Sequence, residues 1–428
     1  MSAIPTQNDR QSVDPENIGV DVDEQSAGTS QSTGALSRGL ARASLWLQRP
    51  VVVVMLSVAA WLVAVDVVAV AGARLIDPRP EMGLGAFTSA WMQWDAGWFE
   101  RIVTYGYHAH PSAAPGHPVV YLQAAFYPGY PLIARGVFDV VHLFGVGVAG
   151  AMLLTNQALV FVMAFLVYKM VVALTRRTDI GVRTVHYLLL YPFAYFLLAP
   201  YSETAFLTFV AGFVWALTAR RYVTAGLLAA AAGVTRPVGF VLPLVLAVGY
   251  LEQHDWNIRT IKPRIVLAVV VACVGAGVYA IYQWLQFGSL FYSQTVSHIG
   301  WASSFSLNLW RTISDSITHP LLSAGSIQGV PVEIFINLSL VTAFAVLTVI
   351  VWRRFGVALG LMCAGFIVIP LLSGTTFSWN RFMLPLLPCF VVLGMWGRRS
   401  IFDFAYRTVG TLFLALFLIM FTHSIWTG

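Results

Sequence analysis

The chain has 428 residues, of which 58% are hydrophobic and only 10% are charged, and its formal net charge is +6. Its repeated apolar runs approach the length of a membrane span, which excludes an ordinary soluble domain. An open sheet cannot cross lipid, and the sequence lacks the alternating segments of an outer-membrane barrel. We therefore expect an all-α, polytopic transmembrane helical bundle.

The first 45 residues are predicted to form a disordered, acidic tail in the cytoplasm. Residues 1–37 carry six acidic residues against Arg10 alone, among many Ser, Gln, Gly and Thr, which is a composition typical of disorder. An integral-membrane domain is expected over residues 46–428. Its first apolar run begins near Val51, too deep and too long for a cleaved signal peptide.

Arginine-rich breaks between the apolar runs predict the cytoplasmic ends of the helices, because Lys and Arg are retained inside. We therefore expect a multi-pass protein of the cell membrane with a cytoplasmic N-terminus and about nine full helices. They are predicted at residues 51–75, 146–174, 184–199, 203–219, 264–287, 331–352, 355–372, 382–397 and 402–425. Residues 222–251 are too few for two full spans and are interrupted at Thr235–Pro237, which predicts two short or broken helices, or a re-entrant hairpin.

In this predicted topology, the polar stretches of unusual composition all lie on the extracytoplasmic face. The longest, residues 77–145, is predicted to be an extracytoplasmic loop that contains interfacial helices. The others are Pro200–Glu203, Thr235–Pro237, residues 288–330 and residues 373–382. We therefore expect a site that opens outward.

Asp95 lies between Trp94 and Trp98 in the first of these stretches. A carboxylate in such a loop is most often solvated or caps a helix. The tryptophans, however, favour a position at the membrane interface. There the carboxylate could deprotonate a hydroxyl group of a substrate held at the membrane surface, and sugar-bearing lipids are substrates of this kind.

Arg236 and Arg381 lie at the ends of apolar segments on the same predicted face. An arginine in apolar surroundings needs an anionic partner, and its planar guanidinium suits phosphate or carboxylate. Two interpretations stay open: a structural ion pair with Glu203 or Asp95, or a site for the phosphate of a lipid-linked substrate. Glu203 begins a predicted helix, so its simpler interpretation is an acid at the positive helix end.

Two further sets of titratable residues have simple explanations. His108, His110 and His117 lie in a loop rich in Pro and Ala that offers no fixed helix face, so no metal site is predicted. Asp66 lies within the first helix and is expected to face the bundle interior. A structural hydrogen bond there agrees with the sequence at least as well as a proton relay does.

The sequence contains no Walker loop, dinucleotide fingerprint or nucleotide-binding domain. A glycosyl transfer on the outer face cannot readily use a cytosolic nucleotide sugar, so it would need a lipid-phosphate sugar as donor. We expect no cofactor and no nucleic-acid partner.

Short motifs rich in aromatic residues, proline and charge follow one another along most of the chain. They are Trp94-Asp95 with Trp98-Phe99, Gly106-Tyr107, Phe126 to Pro131, Pro200 to Glu203, Thr235 to Pro237, and Trp379 to Pro385. Each is weak singly, but the ordered set resembles the PIG-V family. These are the glycosylphosphatidylinositol mannosyltransferase II enzymes and their bacterial relatives.

This resemblance implies a glycosyltransferase C-type fold and a hexosyltransferase with a polyprenyl-phosphate sugar donor, the expected sugar being mannose. It also implies a metal-independent, inverting transfer to a lipid or glycan acceptor, with Asp95 in loop 77–145 as the catalytic base. Arg236 and Arg381 are then expected to bind the donor phosphate. The residues expected to bind substrate or position the loop are Trp94, Trp98, Tyr107, Tyr127, Tyr130, Tyr201, Glu203 and Trp379.

Two positions depart from the family pattern. Gly129 stands where relatives often carry a larger residue, and Val238 replaces the commoner Asn after Pro237. Both departures leave the acceptor open more than the fold.

Two other functions compete with this one. A transporter or flippase for a lipid-linked or anionic substrate would use Asp66, Glu203 and Arg236 at a midplane site, but no internal repeat is visible in the sequence. A non-catalytic scaffold explains the helices but not the gathering of charges on one face.

Overall fold

The computed structural model of the protein describes residues 49–76, 84–108, 120–301, 303, 305–308, 310, 314, 331–373 and 378–425. The described residues form α-helices joined by turns and short 3₁₀ segments, and they contain no β-strand. This confirms the all-α class. The acidic tail expected over residues 1–45 lies outside the described residues.

The helices are numbered here in chain order. They are α1 (Pro50–Ile76), α2 (Leu84–Trp91), α3 (Asp95–Tyr105), α4 (Gly129–Val141), α5 (Val148–Thr175), α6 (Thr178–Leu189), α7 (Glu203–Thr218), α8 (Tyr222–Thr235), α9 (Leu242–Glu252), α10 (Pro263–Phe287), α11 (Tyr292–Trp301), α12 (Pro331–Phe355), α13 (Val357–Leu371), α14 (Trp379–Phe382), α15 (Leu387–Trp396) and α16 (Ser400–Thr422).

Five stretches of helix are long and apolar enough to cross a membrane. They are Pro50–Arg74, Val148–Thr175, Pro263–Phe287, Phe335–Phe355 and Ser400–Thr422. In lipid, a helix satisfies its own backbone N–H and C=O groups, which is why such apolar sequences fold in this way. The chain is therefore a membrane protein. Several helices predicted as full spans, such as α7, α13 and α15, are apolar but only 10–17 residues long.

The interrupted helix pair expected in residues 222–251 is confirmed. Helix α8 ends at Thr235, a 3₁₀ segment covers Pro237–Val241, and α9 follows. A residue before proline is driven away from the helical region, and Arg236 accordingly has an extended backbone with φ −152° and ψ 145°. This break directs the Arg236 side chain away from the axis of the preceding helix.

Two sequence predictions of helix extent are wrong, and proline explains both. The helix expected over residues 184–199 ends at Leu189, three residues before Pro192. The helix expected over 382–397 is divided into α14 and α15, with Pro385 between them. Proline has no N–H group to donate within the helix, and its ring clashes with the preceding turn. These helices are therefore interrupted although their sequences are strongly apolar.

Helices form within residues 77–145 as predicted, namely α2, α3, α4 and the 3₁₀ segment Leu122–Ala125. Helix α4 packs against α5 and α8, and its first residue, Gly129, lies against the backbone of Thr235. A Cβ atom added to Gly129 would lie 2.8 Å from the Cα atom of Thr235 and still closer to the Thr235 hydroxyl. Gly129 therefore lets one motif approach the backbone of another.

We expect Gly129→Ala to destabilise the protein, because the added methyl group meets backbone that cannot rotate away. Overpacking of this kind costs about 1–3 kcal/mol, which should lower the melting temperature of the purified protein in detergent. Gly136→Ala is the matched control, because it lies on the same helix and an added Cβ would meet nothing within 4 Å. Equal melting temperatures for the two variants would contradict the close approach.

Candidate functional site

Four charged side chains from distant segments meet in one network. Asp95 is the first residue of α3, Glu203 the first of α7, Arg236 follows α8, and Arg381 lies on α14. The Arg381 guanidinium lies 2.9 Å from an Asp95 oxygen and 3.6 Å from a Glu203 oxygen, and Arg236 lies 2.7 Å from the same Glu203 oxygen. We call these four residues the charge network.

The charge network balances two carboxylates against two guanidinium groups in largely buried surroundings. The side chain of Glu203 is only 2% exposed, whereas that of Asp95 is 15% exposed. Both acids begin helices, where the positive end of the helix dipole favours a negative charge. Burial lowers the pKa of Arg381, but the carboxylates of Asp95 and Glu203 raise it by more, so the guanidinium stays charged.

Aromatic rings surround the two guanidinium groups. The Phe382 ring lies 5.2 Å from the Arg236 guanidinium carbon and 5.5 Å from that of Arg381. The rings of Phe196 and Tyr201 lie 5.4 and 5.5 Å from Arg381. Cations are attracted to the faces of such rings, particularly where water is excluded. These contacts fix the positions of both guanidinium groups without neutralising them.

Tyr201 holds the start of α3 in place behind the Asp95 carboxylate. Its hydroxyl accepts the Asp95 backbone N–H at 3.2 Å and donates to the Gln93 carbonyl at 2.9 Å. Burial raises the pKa of the Tyr201 phenol well above its usual range, and the Asp95 carboxylate raises it further. The phenol therefore keeps its proton. Asn156 on α5 in turn donates to the Tyr201 carbonyl at 3.2 Å.

The backbone is unusual just before each residue of the Asp95–Arg381 pair. Trp94 has φ 52° and ψ −113°, and Ser378, three residues before Arg381, has φ 66°. Non-glycine residues adopt positive φ at a cost of about 1–3 kcal/mol, and such residues cluster at functional sites. The surrounding structure therefore holds these two segments in conformations that the isolated chain would not favour.

The charge network borders a cavity of about 300 Å³, which we call the Asp95 cavity. Its lining includes Asp95, Arg236, Arg381, Phe382 and Trp301, and Asp95 is the one carboxylate among the described lining residues. A second cavity of about 590 Å³ adjoins it. The two share Ala125, Pro237, Ser297, Ser303, Ile369 and Ser373. Together they fall in the size range of small-molecule sites.

The aromatic residues predicted from the sequence fall into two groups, those close to the cavities and those that line neither cavity. Tyr127 lines the second cavity, and Trp98 packs against Phe126 and Trp301, which line the Asp95 cavity. Trp94, 40% exposed, precedes Asp95. The other predicted aromatic residues line neither cavity.

Besides Tyr201, three of the predicted tyrosine and tryptophan residues are buried without lining either cavity. Tyr107 donates to the Phe126 carbonyl at 2.7 Å, which ties the end of α3 to the FYPGYP motif. Tyr130 is fully buried and donates to the Met152 carbonyl at 3.3 Å. Trp379 is also buried at the start of α14. Their contacts are those of residues that position the loops.

The structural ion pairs that the sequence left open for Arg236 and Arg381 are present. The structural hydrogen bond expected of Asp66 is also present, because it accepts hydrogen bonds from Trp91 at 3.1 Å and Gln157 at 3.2 Å. Neither cavity is lined by Asp66.

Histidines take no part in the charge network. His108 bonds to Gln286 at 2.9 Å, whereas His110 and His117 lie outside the described residues. Within the described part of the chain, no three or more His, Cys, Asp or Glu side chains are grouped so that they could hold a metal ion.

Sequence reasoning missed several uncharged contributors. Helix α11 supplies Ser297 and Trp301 to the Asp95 cavity, and Gln93 and Asn156 support Tyr201. The polar stretch that begins at residue 288 pointed to this region but to none of these side chains. The signal for Asn156 was its place in the polar triplet Thr155–Gln157 of a largely apolar membrane helix.

Comparisons with known proteins gave matches to solved structures alone. No protein-family model matches the chain, and no curated protein does. The apo oligosaccharyltransferase of Archaeoglobus fulgidus aligns with a TM-score of 0.41 and 11% identity, over 87% of this chain and 56% of that one.

The oligosaccharyltransferase AglB from Archaeoglobus fulgidus, in complex with an inhibitory peptide and a dolichol-phosphate, aligns with a TM-score of 0.39 and 9% identity, over 86% of this chain and 56% of that one. The Archaeoglobus fulgidus oligosaccharyltransferase in complex with Zn and sulfate aligns with a TM-score of 0.40 and 11% identity, over 86% of this chain and 53% of that one. The chain thus spans about half the length of the proteins it matches.

We expect Glu203→Gln to lower the stability of the protein strongly. Removing one partner of a buried pair leaves an uncompensated charge and costs about 3–5 kcal/mol, here at Arg236. Asp139→Asn on α4 is the control, because it breaks a 2.9 Å pair with Arg135 whose side chains are 53% and 48% exposed. Such a pair contributes about 0–1 kcal/mol. Melting temperatures in detergent should separate the two variants, and equal losses would argue against a buried network.

Proposed function

We propose that this chain is an integral-membrane glycosyltransferase of the C-type fold, similar to the PIG-V family. It transfers a hexose, expected to be mannose, from a polyprenyl-phosphate sugar to a lipid or glycan acceptor. The observation that carries the proposal is the lining of one cavity by a carboxylate, Asp95, and two guanidinium groups, Arg236 and Arg381. Transfer from a sugar phosphate needs a base for the acceptor and cations for the departing phosphate.

Asp95 acts as the general base in this proposal. Its carboxylate faces the cavity, whereas Glu203 is almost fully buried between Arg236 and Arg381 and does not line the cavity. A base must come within hydrogen-bond reach of the hydroxyl it deprotonates. Asp95 meets this requirement for an acceptor in the cavity, and Glu203 instead holds the two arginines in place.

The donor phosphate binds Arg236 and Arg381. Asp95 pairs with Arg381 at 2.9 Å. A phosphate oxygen that binds Arg381 competes for the same guanidinium and so frees the Asp95 carboxylate. Donor binding thereby couples to activation of the base, while the Glu203–Arg236 pair persists.

The proposed reaction is a single inverting displacement. The Asp95 carboxylate takes the proton of an acceptor hydroxyl, and the acceptor oxygen forms a bond to the anomeric carbon from the face opposite the phosphate. The bond between the anomeric carbon and the phosphate oxygen breaks, and its electron pair leaves with the polyprenyl phosphate. Arg236 and Arg381 stabilise the negative charge that grows on this leaving group. A β-linked donor yields an α-linked product.

The second cavity is the proposed place for the acceptor. It adjoins the Asp95 cavity along their shared lining and presents Tyr127, Phe240, Gln283, Gln294 and His298. Amide and imidazole groups hydrogen-bond hydroxyl groups, and aromatic faces pack on apolar faces, so this lining suits a hydroxyl-rich glycan. No acidic or arginine side chain lines it among the described residues, which favours an uncharged acceptor portion there.

Asp95→Asn should abolish most of the transfer, because it keeps the shape of the side chain but removes the proton acceptor. We expect a fall of about 100- to 10,000-fold, measured as radiolabelled mannose moved from polyprenyl-phosphate mannose into glycolipid by the purified protein. Asp95→Glu should recover only part of the rate, because one extra methylene displaces the carboxylate by about 1 Å.

Glu100→Gln is the matched control for this experiment, because Glu100 lies on the same helix but does not line the cavity. It should keep a rate near that of the natural protein. A well-folded Asp95→Asn protein with full activity would remove Asp95 from the mechanism. Label that crosses vesicle membranes without forming a new glycosidic product would instead favour the transporter.

We further propose that the N-terminus is cytoplasmic and that the Asp95 cavity opens to the extracytoplasmic side. This orientation follows from the arginine-rich breaks, three of which meet far from the charge network, around Arg177, Arg354 and Arg398. A polyprenyl-phosphate donor is then required, because nucleotide sugars remain in the cytosol.

Single cysteines test the orientation in a Cys273→Ser background, which removes the one exposed native thiol among the described residues. Tyr105→Cys, at an exposed position at the end of α3, should react with a membrane-impermeant maleimide in intact cells. Thr178→Cys, at an exposed position beside Arg177, should react only after permeabilisation. The reverse labelling pattern would overturn the proposed orientation.

A further inference from the structure

A cavity of about 610 Å³ lies among the ends of α5, α6, α12 and α15. Four arginines line it, namely Arg177, Arg354, Arg398 and Arg399, and no carboxylate does so among the described residues. We call it the arginine cavity. Helix α13 begins two residues after Phe355, which lines the arginine cavity, and its last turn lines the Asp95 cavity. Its 15 residues separate the two cavities by about 22 Å.

The described carboxylates near the arginine cavity pair with groups other than Arg354, Arg398 and Arg399. Asp179 pairs with Arg177 at 2.9 Å, and Glu252 accepts the backbone N–H groups of Val357 and Ala358 at 2.8 and 3.1 Å. Asp403 accepts from Tyr187 at 2.8 Å and from Arg407 at 3.0 Å.

Arg354, Arg398 and Arg399 form no ion pair with another described residue and are exposed. The cavity therefore keeps a net positive charge. Such a charge attracts an anion, and guanidinium groups match phosphate oxygens in geometry as well as charge.

An apolar groove of about 630 Å³ continues from this cavity, and the two share Trp396. The groove runs along α12 from Phe335 to Leu347, with Leu393 on α15 beside it. The twelve helical steps from Phe335 to Leu347 extend about 18 Å, which is the scale of a lipid acyl chain. Trp396 is 40% exposed at the junction, and tryptophan prefers the boundary between lipid headgroups and acyl chains.

We infer that the arginine cavity and the groove together bind one anionic phospholipid. Its phosphate lies among Arg354, Arg398 and Arg399, and one acyl chain lies along α12. A free phosphate would satisfy the arginines but would leave the groove unexplained, and a zwitterionic lipid would bring a cation into a cavity that is already positive. Basic pockets between the ends of membrane helices are suited to acidic lipid headgroups.

Native mass spectrometry of the full-length protein in detergent tests this inference. The probe is an equimolar mixture of phosphatidylglycerol and phosphatidylcholine with identical acyl chains, so that the headgroup alone differs. We expect the protein to retain phosphatidylglycerol at least about tenfold better. In Arg398→Gln/Arg399→Gln this preference should fall about tenfold or more, because each cation near a lipid surface contributes about 1 kcal/mol. Equal retention of the two lipids would mean that the protein carries only nonspecific annular lipid, which would contradict the inference.

Arg259→Gln/Arg264→Gln is the control for the headgroup, because both arginines are exposed but do not line the cavity. It should keep the preference. If the Arg398 and Arg399 double variant does not fold, Arg354→Gln alone should show a smaller loss of preference. An unchanged preference in the cavity variants would overturn the proposal.

A second pair of variants tests the acyl chain. Ala343→Trp fills the groove and should lower retention of phosphatidylglycerol severalfold, whereas Ala345→Trp is exposed on the same helix outside the groove and should not. Soluble glycerol phosphate should displace the lipid poorly, because it lacks the chain. Displacement by glycerol phosphate at concentrations equal to those of the lipid, with no effect of Ala343→Trp, would identify a site for free phosphate and overturn the lipid proposal.

Discussion

The buried pairing of two arginines with two carboxylates is the constraint on which the rest of the site depends. Arg236 and Arg381 lie in surroundings poor in water, where an unpaired charge is costly, so Asp95 and Glu203 must be delivered to them. These residues come from four separate segments, and each lies at a helix end or a break. The breaks at Pro192, Pro237 and Pro385 therefore serve the charge network, because they let the helix ends that carry the charged residues converge.

Structural and functional interpretations of the arginines are compatible under this constraint. The carboxylate oxygens that neutralise Arg381 occupy positions which phosphate oxygens of a substrate would favour for the same reasons of charge and planarity. The two acids differ in how they could respond. Glu203 is enclosed between the arginines, whereas Asp95 borders the cavity, which gives its carboxylate space to change position. An exchange of partners at Arg381 therefore disturbs one pair and leaves the other to maintain the fold.

The sequence predicted those features that depend on local pattern and on charge. Apolar runs gave the long helices, the TRP motif gave the break after α8, and the placement of Asp95, Glu203, Arg236 and Arg381 on one face is matched by their contacts. Features that depend on tertiary contact were not predictable. Tyr127 and Tyr130 belong to one motif, yet the first lines a cavity and the second is buried in the core. Gln93 acts through its backbone carbonyl, which no sequence pattern marks, and the amide of Asn156 stands beside Thr155 and Gln157, which line neither cavity.

Arginine has different surroundings in the charge network and in the arginine cavity, and this difference decides what each can recognise. In the charge network every guanidinium already has a carboxylate partner, so an incoming anion must displace one, and binding becomes a selective exchange in a nearly dry site. In the arginine cavity three exposed guanidinium groups have no carboxylate partner among the described residues, so an anion is attracted directly but ionic strength screens the attraction. The first arrangement suits a step that must begin only when substrate is present. The second suits steady association with an abundant acidic component of the membrane.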